Sequence, residues 1–282
     1  MNYWFKDKYS SHTILNIKIK NPLFKGRSSC QRIEILESYD FGRMLVLDGI
    51  INVTEKDEFI YHEMMVHVPI FTHSNPREIL IIGGGDGGIV RELSKHPQIN
   101  QIDLVEIDPM VVDKCKKFIP SVSMGFKESR LNVYYEDGAQ FVKNRENFYD
   151  VIIVDSPDPV GTGKKLFQKN FYNYCSRALK EKGVLTAQSE NPTFEQECSI
   201  MKSMYKKLNR TFPIVKIYTA FVPSYSIGIW CFAFCSKKYD PLNDFQEKRY
   251  KKLKLKNRYY NADIHRSSFA LPNFLIEDFN KS

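Results

Sequence analysis

The sequence predicts an α/β fold: a doubly wound, mostly parallel sheet with a small antiparallel β unit in front of it. Three observations carry that expectation. Residues 12–54 alternate with period two in TILNIKI, QRIEILE and RMLVLDGIINV, the pattern of half-buried strands. From residue 57 short apolar segments alternate with amphipathic stretches, as in a parallel sheet covered on both faces. The last two apolar segments, 215–223 and 227–236, are joined by a link too short for a crossover helix, so they should pair as an antiparallel hairpin. The boundary between the two parts is expected at 56/57, giving 1–56 for the β-strand domain and 57–282 for the larger one.

Taken in order, Tyr39-Asp40-Phe41-Gly42 and Asp48-Gly49 read as the turns between the first strands. DEFIYHEMMVHVPIF (57–71) reads as a helix, with Met64, Met65 and Val68 on its packing stripe. The strand ILII (79–82) leads to the helical IVRELSKH (89–96). DLVEI (103–107) leads to PMVVDKCKKFI (109–119), with Asp108 as N-cap and Pro109 in the first helical position. NVYYE (132–136) precedes AQFVKN (139–144), and VIIVD (151–155) precedes a helix over FQKNFYNYCSRALKEK (167–182). GVLTAQ (183–188), a helix near 193–209 and the terminal hairpin complete the series.

Composition excludes several classes. Apolar residues make up 43% of 282, enough for a full core and against disorder. The cysteines at 30, 115, 175, 198, 231 and 235 form no CxxC pair, and no histidine stands at ligand spacing from them. Free buried thiols are expected, with no disulfide framework and no metal. The net charge of +8 is concentrated in EKRYKKLKLKNRYY (247–260), which reads as a solvated helical face and not as a nucleic-acid footprint. No apolar run spans a bilayer and MNYWFKDKYSS lacks a signal-peptide core, so a cytoplasmic protein without membrane or nucleic-acid partners is expected.

In a doubly wound sheet, ligands bind beyond the carboxyl ends of the strands. Those ends carry Gly83 to Gly88 with Asp86 among the glycines, then Glu106, Asp137 and Gly138, DSPDP (155–159), and Gln188 and Glu190. Gly83-x-Gly85-x-x-Gly88 has the spacing of a dinucleotide fingerprint, and Glu106, 18 residues beyond Gly88, suits a ribose diol. Asp86 opposes a pyrophosphate. A carboxylate about 4 Å from a phosphate costs roughly 4 kcal/mol at an effective dielectric of about 20. A nucleoside with positive charge and no phosphate, such as a sulfonium nucleoside, fits better. Asp155 and Asp158, three apart at a strand end, suit a cationic amine: one anchors it and one takes its proton. Gly161 to Lys165 read as a movable cover over that site. Tyr61 and His62 stand on the first helix, where packing and a hydrogen bond to a diamine are both open to them.

In this order, DEFIYHEM, IIGGGDGG, VEID, YYEDG, DSPDP, KYDPL (238–242) and RYYNADIHRSSFALPNF (258–274) resemble the signatures of the spermidine synthases, or polyamine aminopropyltransferases, over nearly the whole chain. The resemblance implies an N-terminal β domain followed by a Rossmann-like, methyltransferase-type domain. It implies transfer of an aminopropyl group from decarboxylated S-adenosylmethionine, a co-substrate and not a cofactor, to putrescine, giving spermidine and 5′-methylthioadenosine. It assigns Asp155 as the proton acceptor. Asp86, Asp158, Tyr61, His62 and Tyr225 fall on the amine side. Gln31, Gly83, Gly85, Glu106, Asp137, Gly138 and Thr162 fall on the nucleoside side. It also implies a homodimer or homotetramer. Two departures touch the region that sets acceptor length: SYSIG (224–228) replaces a Thr-Tyr-Pro-Ser-Gly-like run, and Thr162 stands where the family usually has proline. Cadaverine, agmatine or spermidine therefore stand as alternative acceptors, and a small-molecule methyltransferase as a more distant reading.

Overall fold

A computed structural model describes residues 3–155, 169–225 and 228–280. The chain begins with five antiparallel strands in sequential order: β1 (Tyr3–Lys8), β2 (Ile14–Arg27), β3 (Arg32–Ser38), β4 (Arg43–Leu47) and β5 (Ile50–Thr54). Both expected turns are present. The β4–β5 turn puts Asp48 and Gly49 at φ +49° and +94°, the left-handed pair of a tight hairpin. β1 lies outside the expected strands; it pairs with β2 from Tyr3↔Ile19 to Lys8↔Ile14.

The second part contains α1 (Glu58–Thr72), β6 (Glu78–Gly83), α2 (Gly88–Ser94), β7 (Gln101–Glu106), α3 (Pro109–Phe118), α4 (Pro120–Ser123), β8 (Leu131–Tyr135), α5 (Gly138–Lys143) and β9 (Tyr149–Asp155). It continues with α6 (Lys169–Ala178), β10 (Leu179–Gln188), α7 (Glu195–Asn209), β11 (Ile214–Phe221), β12 (Ile229–Ser236), α8 (Glu247–Leu253), α9 (Ala262–Ser267) and α10 (Asn273–Asn280). Seven strands form one sheet in the order β11-β12-β10-β9-β6-β7-β8. The five from β8 to β10 are parallel, and β12 is antiparallel to both β10 and β11, closing the expected hairpin.

Alternation along the central strands fills both faces. Ile79, Ile81, Val151 and Ile153 pack with Met64, Met65 and Val68 of α1 and Ile89, Val90 and Leu93 of α2. Leu80, Ile82, Ile152 and Val154 pack against α5, α6 and α7 through Phe141, Phe171, Tyr172, Met201 and Met204. Each such side chain contributes roughly 1.5–3 kcal/mol through burial. The N-terminal sheet is seated on the second part: Ile33, Ile35, Leu45 and Val53 meet Val111, Cys115, Ile119 and Val122.

One boundary differs from expectation. Leu179 to Lys182 belong to β10 and not to the preceding helix. Leu179 already pairs with Tyr149, a bulge separates it from Val184, and Lys180 Nζ reaches Glu78 Oε2 at 2.5 Å and Asp150 Oδ2 at 3.1 Å. Pairing with β9 thus overrides the helix-favouring composition of LKEK. Only the first half of the basic run is the expected solvated helix, α8, which buries none of its residues; the second half leaves the helix, and its end packs inward, with the amides of Arg258, Tyr259 and Tyr260 donating to Glu63 and Tyr260 buried. All six cysteines are free, five of them buried.

Candidate active site

β6 and β9 are neighbours in register, with Gly83 opposite Asp155. Asp155, the last residue of β9, is therefore delivered to the sheet edge beside the glycine loop. α1 crosses behind it, and Tyr61 Oη donates to Asp155 Oδ1 at 2.5 Å. Gly84, at φ +74°, would bring a Cβ to 3.3 Å from Asp155 Oδ2. Burial and the nearby charge of Asp86 push the Asp155 carboxyl up to about 6, against the opposing pull of His62 and Tyr61. Asp155 is thus mostly ionised at neutral pH, yet close enough to that pH to accept and release a proton.

Asp86 sits in the loop before α2. Its Oδ1 accepts the Gly88 amide at 2.7 Å and lies 3.2 Å from His62 Nε2. On the other side of the ring, His62 Nδ1 is 2.6 Å from Glu58 Oε2, one helical turn earlier. Arg91 of α2 grips Glu58 with two bonds of 2.8 Å. Burial disfavours the His62 cation, but Asp86 and Glu58 outweigh it and raise the ring to about 10. Burial likewise opposes ionisation of Asp86 and Glu58, but the neighbouring cations and N–H donors hold both carboxyls below their usual range. Donor atoms of His62, Asp86 and Asp155 converge within 4.8 Å. A ring protonated on both nitrogens has no lone pair for a cation, so this convergence does not suit a metal ion.

Glu106 ends β7, and its Oε1 accepts the Asp108 amide at 2.8 Å. Burial raises its carboxyl to about 7, with the Asp108 and Asp155 charges pushing the same way and backbone N–H donors pulling back. A side chain at Gly85 would collide with Glu106 Oε2 at 2.8 Å, so this glycine makes room for the carboxylate. Asp108 caps α3 through the Met110 amide and also accepts from Ser28 Oγ at 2.6 Å and Gln31 Nε2 at 3.0 Å. Gln31 thereby ties the N-terminal sheet to the end of β7. On the next strand end, Asp137 caps α5 through the Ala139 amide at 2.9 Å, and a Cβ on Gly138 would meet Ile82 at 2.4 Å.

Tyr225 stands beside Tyr61. Its hydroxyl donates to the Asn52 carbonyl of β5, and its ring stands edge-on to Tyr61 at 5.8 Å and to Trp230 at 4.9 Å. Asp57 holds the segment before Tyr225, accepting the Ser224 amide at 2.7 Å and the Ser224 hydroxyl at 3.0 Å. The structure thus groups Tyr61, His62, Asp86, Asp155 and Tyr225, and groups Gln31, Glu106 and Gly85 beside them. Gly83, at φ +87°, adjoins both groups. Asp137 and Gly138 stand farther along the same sheet edge, where they cap and pack α5. Asp158 and Thr162 lie outside the described residues, as does the rest of the expected cover. Sequence reasoning missed Asp57, Glu58 and Arg91. Only the Glu58–His62 spacing of four was readable as a same-face helical pair.

The arrangement favours a cationic ligand without phosphate. Asp86 presents a fixed anion, Asp155 a carboxyl that titrates near 6, and Glu106 a buried carboxyl that can accept from hydroxyl donors. Residues 58–247 match the spermine/spermidine synthase domain, and residues 3–55 match the spermidine synthase tetramerisation domain. A polyamine aminopropyltransferase of Clostridium botulinum (strain Eklund 17B / Type B) is 47% identical over 282 residues, covering 100% of this chain and 99% of the relative. One from Alkaliphilus oremlandii (strain OhILAs) is 46% identical over 281 residues, with coverage of 100% and 99%. The crystal structure of a spermidine synthase in complex with the transition-state analogue AdoDATO is 40% identical, covers 99% of this chain and 96% of its own, and superposes with a TM-score of 0.96. That of Thermotoga maritima spermidine synthase gives 39%, 100%, 96% and 0.95. Full-length identity at this level, with both family models in sequence, makes the chain a member of the spermidine synthase family, a polyamine aminopropyltransferase and hence a transferase.

Proposed function

We propose that the chain is a spermidine synthase that moves the aminopropyl group of decarboxylated S-adenosylmethionine to putrescine, with Asp155 as general base. The observation that carries this reading is the Tyr61–Asp155–Asp86 arrangement. One carboxylate is held ionised and another titrates near pH 6, both in a buried site. A primary ammonium has a free pKa resembling that of lysine, about 10.4, and is not a nucleophile until it loses a proton. Asp155 accepts that proton. The amine nitrogen attacks the methylene next to sulfur, the carbon–sulfur bond breaks, and its electron pair leaves on sulfur as methylthioadenosine. A sulfonium is a good leaving group, so positioning supplies most of the acceleration.

Glu106 accepts the ribose hydroxyls, with Gln31, Gly83, Gly85, Asp137, Gly138 and Thr162 on the nucleoside side. Asp86 and Asp158 receive the amine ends, and Tyr61, His62 and Tyr225 wall the same space. The acceptor is putrescine, with cadaverine, agmatine and spermidine as the alternatives. The chain is proposed to act as a homo-oligomer in the cytoplasm, in keeping with the tetramerisation-domain match over 3–55. An acceptor panel with mass detection of products tests the assignment. Methylthioadenosine and spermidine from putrescine are expected. S-adenosylhomocysteine as the product from ordinary S-adenosylmethionine would overturn it.

A further inference from the structure

Between the two substrate carboxylates and the outside of the helix layer runs a buried row of alternating charges: Arg91, Glu58, His62, Asp86. Its links are 2.8, 2.6 and 3.2 Å long. Three of its members are almost wholly buried, at 8% exposure for Glu58, 1% for His62 and 7% for Asp86. A buried row of this kind is costly to assemble, and loss of one member leaves its neighbour uncompensated. Of these four, the proposed transfer step uses only Asp86 and, as a wall, His62.

We infer that Glu58, clamped by Arg91, is a positioning residue for the transfer reaction: it keeps His62 an imidazolium so that Asp86 remains the fixed anion facing the cationic substrates. This inference rests on the proposed reading of the site. Geometry supplies its first support. His62 has a carboxylate oxygen on each nitrogen, so the ring donates twice and serves neither as base nor as lone-pair acceptor. Asp86 Oδ1 is consumed by His62 and the Gly88 amide, so among the described residues Oδ2 is the oxygen left for a ligand.

Electrostatics supplies the second. Two carboxylates as close as Asp86 and Asp155 tend to share one proton, because like charges disfavour each other's ionised form. His62⁺ breaks that symmetry, binding Asp86 directly and leaving Asp155 to titrate. Every neighbouring group is consistent with this division. From α1, Tyr61 donates to Asp155 and stands 5.5 Å ring-to-ring from His62. From β7, Glu106 adds negative charge beside Asp155. From α3, the Cys115 thiol near Asp86 and Glu106 is pushed far up by burial and stays neutral. From α2, Arg91 also bonds Glu92, which is itself held by His67 and Lys95. Tyr225, beyond Tyr61, is tied to Asn52. Glu58 is thus the anion that touches His62 away from the substrate space.

The test is nuclear magnetic resonance of the His62 imidazole nitrogens in the full-length protein without substrate, which does not depend on which group acts as base. The ring should stay doubly protonated from pH 6 to 8.5. In Glu58→Gln the midpoint of its titration should fall by about 1–3 pH units, the effect of removing one adjacent opposite charge. KM for putrescine should rise at least about tenfold at pH 7.5, a larger change than in kcat. Arg91→Lys keeps the charge but loses the two-pronged grip, and should leave the ring protonated with a smaller rise in KM. A neutral His62 in the unmodified protein at pH 7.5 overturns the inference even if Glu58→Gln does not fold. An unshifted titration in a folded Glu58→Gln also overturns it. Failure of the base assignment would show separately, as undiminished turnover in Asp155→Asn with the imidazole signal intact.

Discussion

Three carboxyl groups crowd the sheet edge, and each titrates differently because each has a different neighbour. Asp155 has a tyrosine donor and a nearby anion. As it titrates near 6 and, in the proposed role of base, needs to be ionised, turnover should fall as pH drops through about 6. Asp155→Asn should reduce kcat by at least about 100-fold, at the low end of the range for general base catalysis, while methylthioadenosine still binds by calorimetry. Turnover close to that of the unmodified protein would remove Asp155 from the base role. Asp86 has a cation beside it and stays charged. Both donors carry an ammonium, but ordinary S-adenosylmethionine carries a carboxylate on the same carbon, so in the proposed reading Asp86 should attract the decarboxylated donor and disfavour the ordinary one by charge repulsion. Asp86→Asn should therefore narrow the preference between the donors in competition assays, and an unchanged preference would refute the repulsion argument. Glu106 has burial and no cation. Its carboxyl, raised from 4.5 to about 7, favours the folded state fully below about 4.5, and that contribution is lost as pH rises through about 7. Glu106→Gln should accordingly stabilise the ligand-free protein at pH 8, by up to about 3 kcal/mol, and not at pH 4, while abolishing the stabilisation that methylthioadenosine gives the unmodified protein. Thermal melts at the two pH values, with and without the nucleoside, check both halves.

At the scale of elements, the glycine loop works mainly by letting other groups approach. A Cβ at Gly88 would lie 2.3 Å from the His62 ring, and neither the ring, fixed between two carboxylates, nor the first turn of α2 has room to yield. Gly88→Ala should cost about 1–3 kcal/mol of stability, the usual range for overpacking, and should lower activity as well; denaturant melts and initial rates measure the two effects. This local logic explains what was readable beforehand. ILII, DLVEI and VIIVD announce central strands because both faces are buried, and Asp108-Pro109 announces a helix start because capping is local. LKEK reads as helix in sequence because its strand pairing and its salt bridges to Glu78 and Asp150 come from residues about 30 and 100 positions away. The site divides in the same way. Asp86, Glu106 and Asp155 stand out by their place at strand ends. Arg91 and Glu58 look like ordinary helix-surface charges until α2 is laid against α1, 33 residues apart in sequence. Gln31 was known only by resemblance, since its bond to Asp108 spans 77 residues.

At the scale of the whole molecule, the N-terminal sheet is both a wall of the site and an outward surface. One side of it seals α3 through Ile33, Ile35, Leu45 and Val53, and it reaches the site through Gln31–Asp108 and Asn52–Tyr225. Its other cluster, Phe5, Ile17, Ile19, Leu36, Met44, Val46 and Ile51, meets Tyr225 as well. The same part of the chain leaves Trp4, Ile14, Tyr39 and Ile50 exposed. Large apolar side chains on an antiparallel sheet mark a surface that other copies can cover, and the stretch carrying them is the one that matches a tetramerisation domain. The chain should therefore sediment as an assembly of four times its 33.0 kDa mass at micromolar concentration. Charges introduced by Trp4→Glu with Ile14→Lys should dissociate it, because a buried unpaired charge costs several kcal/mol at an interface. Since Asn52 and Tyr225 join this sheet to the proposed amine side, dissociation should also raise KM for the acceptor more than it lowers nucleoside affinity. Analytical ultracentrifugation paired with steady-state kinetics reads both quantities. A monomer in the unmodified protein would remove the assembly from the functional account, and a dissociated variant with unchanged KM would show that the sheet supports the site from within a single chain.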